Sequence, residues 1–282
     1  MARRPRLFGK QLYHHIYAWG NDRHPIFKDD GHYEKYLSYL ASYSDCYKID
    51  VIAYALMECH VHLFLFDSRG KISQFMDALH GNYAQFYNRV NKRTGHVFGE
   101  RFNNKIVQPN NYGLWLSRYI HRQALEAGLV NDSRNYPWTS YLAYIGLSPI
   151  GFLKPNIMLE QFGHGKDSYR QYEKFVTGAD DGPINWHKTH VSIIGDNEFV
   201  EHVQQTENKG ENYEHDKKDL VSFVSSILSV GREILLNPRG WNERRLRHRA
   251  FSLLADEYGY SVSQIARAFN VTARAVIKAL KN

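Results

Sequence analysis

Between Asp50 and Asp67 the chain holds two apolar runs, "DVIAYALM" and "HVHLFLFD", separated only by Glu58-Cys59. So short a break leaves room only for a tight reversal, and the pair predicts a β-hairpin. The second run carries His60 and His62 among Val61, Leu63, Phe64 and Leu65. Side chains alternate faces along a strand, so the two imidazoles share one face. Buried imidazoles need polar partners, and the apolar neighbours offer none. By itself the pair fits two satisfied core histidines and a metal-binding pair alike.

The flanking patterns set the fold class. "KQLYHHIYAW", Lys10 to Trp19, predicts a strand ending at Gly20. Tyr33, Tyr36, Leu37 and Leu40 recur at helical spacing, so a helix begins near Gly31. Ile72, Phe75, Met76, Leu79, Tyr83, Phe86, Tyr87 and Val90 mark a long amphipathic helix. Tyr83 and Tyr87 fall on its apolar stripe and read as core. "GHVFGERFNNKIV", Gly95 to Val107, reads as a return into the sheet. Asn110 or Asn111 then caps a helix that carries Leu114, Trp115, Arg118, Tyr119 and Gln123 and ends at Gly128. The order β-α-β-β-α-β-α predicts an α+β fold, a ferredoxin-like antiparallel sheet with flanking helices.

Periodicity weakens after Pro137-Trp138, and residues 151 to 185 hold short helical pieces. "QQTENKGENYEHDKKD", Gln204 to Asp219, is polar and reads as a linker, with helical patterning again from Leu220. The expected organisation is 1–150, the sheet domain; 151–215, a helical extension and polar linker; and 216–282, an all-α domain.

The formal charge is +7, a balance that attracts polyanions. Twenty tyrosines and fifteen phenylalanines among the arginines suit stacking on unpaired bases, although many belong to the core. Cys46 and Cys59 have neither metal-site spacing nor the number for a disulfide framework. No apolar run is long enough to span a bilayer, and the basic N-terminus "MARRPRLFGK" lacks an apolar signal core. The expectation is a cytoplasmic protein with no membrane partner.

Tyr119 and Gln123 stand four residues apart, on one helix face. A helix laid across the sheet would aim a phenol and an amide at His60 and His62, although no spacing rule joins residues 62 and 119. At this point a resemblance enters. "MECHVHLFLF" resembles the histidine–hydrophobe–histidine (HUH) motif of single-tyrosine transposases. "LYHHIYAWGNDRHPIFKDD", "GHVFGERFNNKIV", "LSRYIHRQALEAGLV" and "YPWTSYLAYIG" resemble, in order, blocks of REP-associated tyrosine transposases. The likeness covers roughly residues 8 to 150.

The resemblance implies a catalytic domain in 1–150. His60, His62 and Gln123 would hold a divalent metal, Mg²⁺ or Mn²⁺, and Tyr119 would be the nucleophile on single-stranded DNA beside hairpins such as REP-type repeats. It implies a 5′-phosphotyrosine intermediate and strand transfer, in a bacterial, nucleoid-associated protein that is a monomer or homodimer. The family often has Asn-Pro where this chain has Gln123-Ala124, so an amide oxygen is kept, with a longer arm and a straighter helix expected. Arg101, Lys105, Arg118 and Arg122 crowd the same blocks and are expected to meet phosphates. Glu58 or Asp67 is a candidate to orient an imidazole, and His121 reads as a DNA or surface residue. Two other readings share the pattern: a replication initiator or relaxase-like HUH nuclease, and a catalytically silent DNA-binding regulator.

"SVSQIARAFNVTARAVIKALKN" closes the chain with a helix-turn-helix pattern: Ser261 and Thr272 as caps, Ala266 small, Asn270 at the turn, Val276 apolar. Asn tolerates the left-handed conformation such a turn needs. Arg274 and Lys278 would then face a major groove of duplex DNA. Upstream, Arg244, Arg245, Arg247 and Arg249 form a candidate phosphate-binding stripe.

Overall fold

The computed structural model describes residues 9–179, 182, 184, 191–209, 220–228, 230–257 and 262–280. Most of the expected linker and the Ser261 cap lie outside them. The chain divides into two compact units, 1–207 and 208–282.

The first unit is built on β1 (Leu12–Trp19), α1 (Asp30–Tyr47), β2 (Ile49–Met57), β3 (His60–Asp67), α2 (Ile72–Val90) and β4 (Asn103–Val107). The sheet order is β2-β3-β1-β4, with those neighbours antiparallel, which is the ferredoxin-like arrangement. The hairpin forms as the two-residue break requires, with Met57 opposite His60. Asp29 caps α1 by accepting from His32 N at 3.1 Å.

The return into the sheet is shorter than the sequence suggests. Only Asn103–Val107 is strand, while Phe98 makes an isolated bridge to Gly20. Gly95 has φ +96°, which breaks an extended run. A fifth strand, β5 (Ile193–Ile194), was not legible and adds parallel to β4.

Val61, Leu63 and Leu65 point to the face opposite His60 and His62, and Asp67 shares it by the same alternation. There the buried Asp67 carboxylate accepts from Arg69 N at 3.0 Å and Ile72 N at 2.7 Å. It starts α2 and orients no imidazole. Tyr83 and Tyr87 are core, as expected, donating to the Ile26 and Pro25 carbonyls.

The helix after β4 is α3 (Asn111–His121), capped by Asn110, followed by the short α4 (Gln123–Glu126). The expected straight run to Gly128 is interrupted at Arg122, with φ −93° and ψ −3°. Gly128, at φ +70°, ends it: Leu129 N bonds Ala124 O and Gly128 N bonds Leu125 O. Gly113 lets α3 lie close to the sheet, because a Cβ there would stand 3.2 Å from Phe64 Cζ and 3.3 Å from Gln108 O.

Residues beyond 136 belong to the same core. Trp138 O accepts from Leu56 N, Ser140 N donates to Tyr54 O, and Lys154 N donates to Val51 O. These bonds satisfy the outer edge of β2, which would otherwise be an open edge for pairing with another chain. Then come α5 (Tyr141–Tyr144), α6 (Asn156–Leu159), α7 (Lys166–Thr177) and α8 (Asn197–Lys209).

The second unit contains α9 (Leu220–Leu228), α10 (Arg232–Leu236), α11 (Trp241–Ser252), a π-helical turn at Leu253–Glu257, α12 (Val262–Ala268) and α13 (Ala273–Leu280). Val224, Leu235, Phe251, Leu254, Ile265, Phe269 and Val276 form its core. Asn270 takes φ +51° between α12 and α13, and Thr272 Oγ1 accepts from Ala275 N at 3.2 Å. Among the described residues no helix is long and apolar enough to cross a membrane.

Candidate active site

The register of three strands assembles one polar face. His60 lies opposite Trp19, His62 opposite Tyr17, and His15 opposite Lys105. The His60 and His62 rings stand 5.1 Å apart and nearly perpendicular. Trp19 stacks on His60 at 4.1 Å, and the Arg23 guanidinium lies over the other ring partner at 4.8 Å from the Trp19 centroid.

From α3, Tyr119 comes down edge-on to His62 at 5.5 Å and to His15 at 6.0 Å. It is 9% exposed, and Gln123 beside it 6%. So the structure sets Tyr119 against His62 and His15, with His60 beside His62 and Gln123 beside Tyr119 on its helix. Gln123 Nε2 donates to Tyr119 O at 3.3 Å, as an i,i+4 pair on a helix face allows.

His15 is the residue the sequence reading missed. Its Nε2 is 3.1 Å from His62 Nδ1, with the rings stacked at 5.3 Å. The signal was present: Tyr13, His15, Tyr17 and Trp19 alternate along β1 and share the face of His62. Burial pushes the His15 pKa down to about 3, with the Lys105 charge a smaller cause, so His15 is neutral near pH 7.

Electrostatics on this face favour uncharged groups. Burial drives the Tyr119 phenol well above its usual pKa, and the Gln123 hydrogen bond opposes this more weakly. Burial also lowers the Lys105 pKa to about 8. A charged group arriving here meets little competing water, which strengthens its interactions.

Two imidazoles and one amide suit a divalent ion of intermediate softness. Among the described residues no three His, Cys, Asp or Glu side chains converge to hold an ion. The donor set therefore depends on the Gln123 amide. If His62 binds through Nε2, its proton lies on Nδ1 and His15 Nε2 accepts it, the outer anchor that metal-binding histidines usually have. The paired imidazoles fit such an ion.

The basic residues divide. Arg101 is exposed before β4. Lys105 is buried on the site face, 5.5 Å from the Tyr17 ring centroid. Arg118 is 4% exposed and donates to Phe175 O and Gly178 O; Arg122 donates to Val176 O. Both are turned onto the end of α7, whose last carbonyls lack helical partners. His121 is fully buried between Tyr172 and Ser140, and not at the surface. In the second unit Arg244, Arg245, Arg249, Arg274 and Lys278 are exposed. Arg247 is half-buried and reaches Leu236 O at 3.5 Å, which removes it from the stripe.

Comparison with known proteins bears on residues 9–123, which match the model of the family described as IS200-like transposases. No curated protein matches the chain. One similar solved structure is a REP-associated tyrosine transposase bound to a REP hairpin, 10% identical, covering 55% of this chain and 98% of that one, with a TM-score of 0.45. Another is a Deinococcus radiodurans R1 protein assigned as a transposase, 19% identical, covering 43% of this chain and 98% of that one, with a TM-score of 0.31. The matched stretch runs from just before β1 to Gln123, contains the histidine pair and the tyrosine helix, and makes residues 9–123 similar to the IS200-like transposases.

Proposed function

We propose that the protein is a metal-dependent, single-tyrosine DNA transposase that cleaves and rejoins single-stranded DNA beside hairpins, as REP-associated tyrosine transposases do. The observation that carries this is Tyr119, held edge-on to His62 and His15 on one polar sheet face within a single chain.

His60, His62 and Gln123 would hold Mn²⁺ or Mg²⁺, and the ion would supply charge neutralisation for a phosphodiester. Tyr119 Oη forms the new bond to phosphorus as the bond from phosphorus to the 3′ oxygen breaks. The products are a 5′-phosphotyrosine and a 3′-hydroxyl, which takes up a proton as the phenol gives one up. Burial keeps that phenol protonated in the free protein, so the nucleophile is quiet until substrate brings its own charge into the site. The reverse attack by a 3′-hydroxyl restores the phosphodiester and needs no external energy source.

In the second unit, α12 and α13 act as a helix-turn-helix, with Arg274 and Lys278 toward a major groove of duplex DNA. The left-handed Asn270 and the Thr272 cap support this reading. Arg244, Arg245 and Arg249 add phosphate contacts.

The test is covalent trapping. Labelled single-stranded hairpins are incubated with the protein and with Tyr119→Phe, with and without Mn²⁺, and resolved on a denaturing gel. A metal-dependent adduct absent from Tyr119→Phe is expected. Tight hairpin binding with no adduct would instead mark a silent DNA-binding protein.

A further inference from the structure

Helix α7 meets the tyrosine helix through an end-on contact. The last carbonyls of a helix have no partners within it and carry the negative end of its dipole. In α7 these carbonyls are taken by α3 and the residue after it. Arg118 Nε donates to Phe175 O at 2.8 Å and Arg118 Nη2 to Gly178 O at 2.6 Å. Arg122 Nη1 donates to Val176 O at 2.8 Å. The Arg118 guanidinium also lies against the rings of Trp115 and Phe175, at 5.2 and 5.8 Å.

A second set of bonds holds the other side of α3. Tyr172 OH donates to Ser117 Oγ at 2.9 Å. That leaves the Tyr172 oxygen to accept from His121 Nδ1 at 2.7 Å. His121 Nε2 then accepts from Ser140 Oγ at 2.7 Å, and Ser140 Oγ accepts from Tyr54 N at 2.9 Å. Every member of this chain is buried. Residues 117, 118, 121 and 122 bracket Tyr119 and are all tied to residues 140–178 of the same chain.

We propose that α7 is a buttress that fixes the tyrosine helix over the histidines of its own chain, with Arg118 and Arg122 as positioning residues, so that Tyr119 acts in cis. The inference rests on the reading of Tyr119 as nucleophile. It gives residues 166–178 a role in catalysis without contact to substrate. Exchange of α3 between two copies would break three charge-assisted hydrogen bonds and the buried chain together.

Three measurements test it. In the first, Tyr119→Phe protein is mixed with His62→Ala protein and the hairpin trapping assay is run with Mn²⁺. No adduct is expected, whereas a restored adduct overturns cis action. In the second, Arg118→Gln/Arg122→Gln is compared with Arg118→Lys and Tyr172→Phe, which test the same contacts with less risk to folding. The adduct-forming rate at saturating hairpin is expected to fall on the order of a hundredfold in the double variant. Hairpin affinity should stay within about twofold, and Arg118→Lys should recover part of the rate. Lost affinity with an unchanged rate would make the arginines DNA contacts and end the proposal.

The third measurement is hydrogen exchange of amides 111–121, which needs no activity. Faster exchange in the double variant than in the parent is expected, and equal exchange overturns the buttress. If the parent itself forms no adduct, the nucleophile reading fails, and the exchange result alone decides whether α7 holds α3.

Discussion

His14 and His15 are neighbours in sequence on opposite faces of β1, and replacing each in turn separates a role in the site from a role in the core. His15 bonds His62 Nδ1 at 3.1 Å. His14 bonds Asn104 Oδ1 at 2.9 Å on the far side of the sheet. His15→Phe keeps a ring of similar size and removes the Nε2 that would accept the His62 Nδ1 proton in the metal-binding tautomer. An abandoned buried donor costs about 1–3 kcal/mol, and His62 relieves it by turning or by moving its proton. Either response spoils Nε2 as a ligand. Outer anchors of this kind are worth about 10–100-fold in metal affinity, or about 1.4–2.7 kcal/mol. The assay is Mn²⁺ titration followed by the electron paramagnetic resonance of the free ion, with thermal melts run beside it. His15→Phe should weaken Mn²⁺ binding by that factor. His14→Phe should lower the melting temperature and leave binding within about twofold. Equal Mn²⁺ affinity in His15→Phe and the parent would refute the anchoring argument.

Other outcomes follow from burial. His80 is half-buried, stacked on Phe98 at 4.0 Å, and held near pKa 3 by desolvation, below its unfolded value, so the unfolded chain binds the extra proton. Its contribution to stability is therefore intact above about pH 6.5 and is lost as pH falls, by up to about 1.4 kcal/mol per pH unit. Denaturant melts between pH 7 and pH 4 should show this, and His80→Phe should flatten the slope; an unchanged slope would contradict it. Arg274→Ala and Lys278→Ala should each lower the salt dependence of duplex binding by about one unit of slope, read by fluorescence anisotropy. Arg247→Gln should instead destabilise the second unit with that slope unchanged, because Arg247 points at Leu236 O. Gly20→Ala should cost about 1–3 kcal/mol in a denaturant melt, since its Cβ would stand 2.1 Å from the His24 carbonyl oxygen.

Local rules were enough for the frame of the first unit. The two-residue gap at Glu58-Cys59 dictated a hairpin, alternation put His60 and His62 on one face, and i,i+4 spacing paired Tyr119 with Gln123. Asn270 announced a left-handed turn because few other side chains tolerate one. Each of these depends on neighbours a few residues apart, which is the range over which backbone geometry fixes side-chain direction.

What lay beyond that range was decided by packing. The sequence shows charge at Arg118, Arg122 and Arg247, and charge alone reads as a phosphate contact. Only the fold reveals helix ends that need donors at those places. His121 read as surface because its partners, Tyr172 and Ser140, are distant along the chain. His15 reached His62 through a strand pairing 47 residues apart. Strand register and helix docking minimise unsatisfied buried polar groups over the whole unit at once. A pattern confined to one segment determines which way a side chain points, and the tertiary structure determines what it meets there.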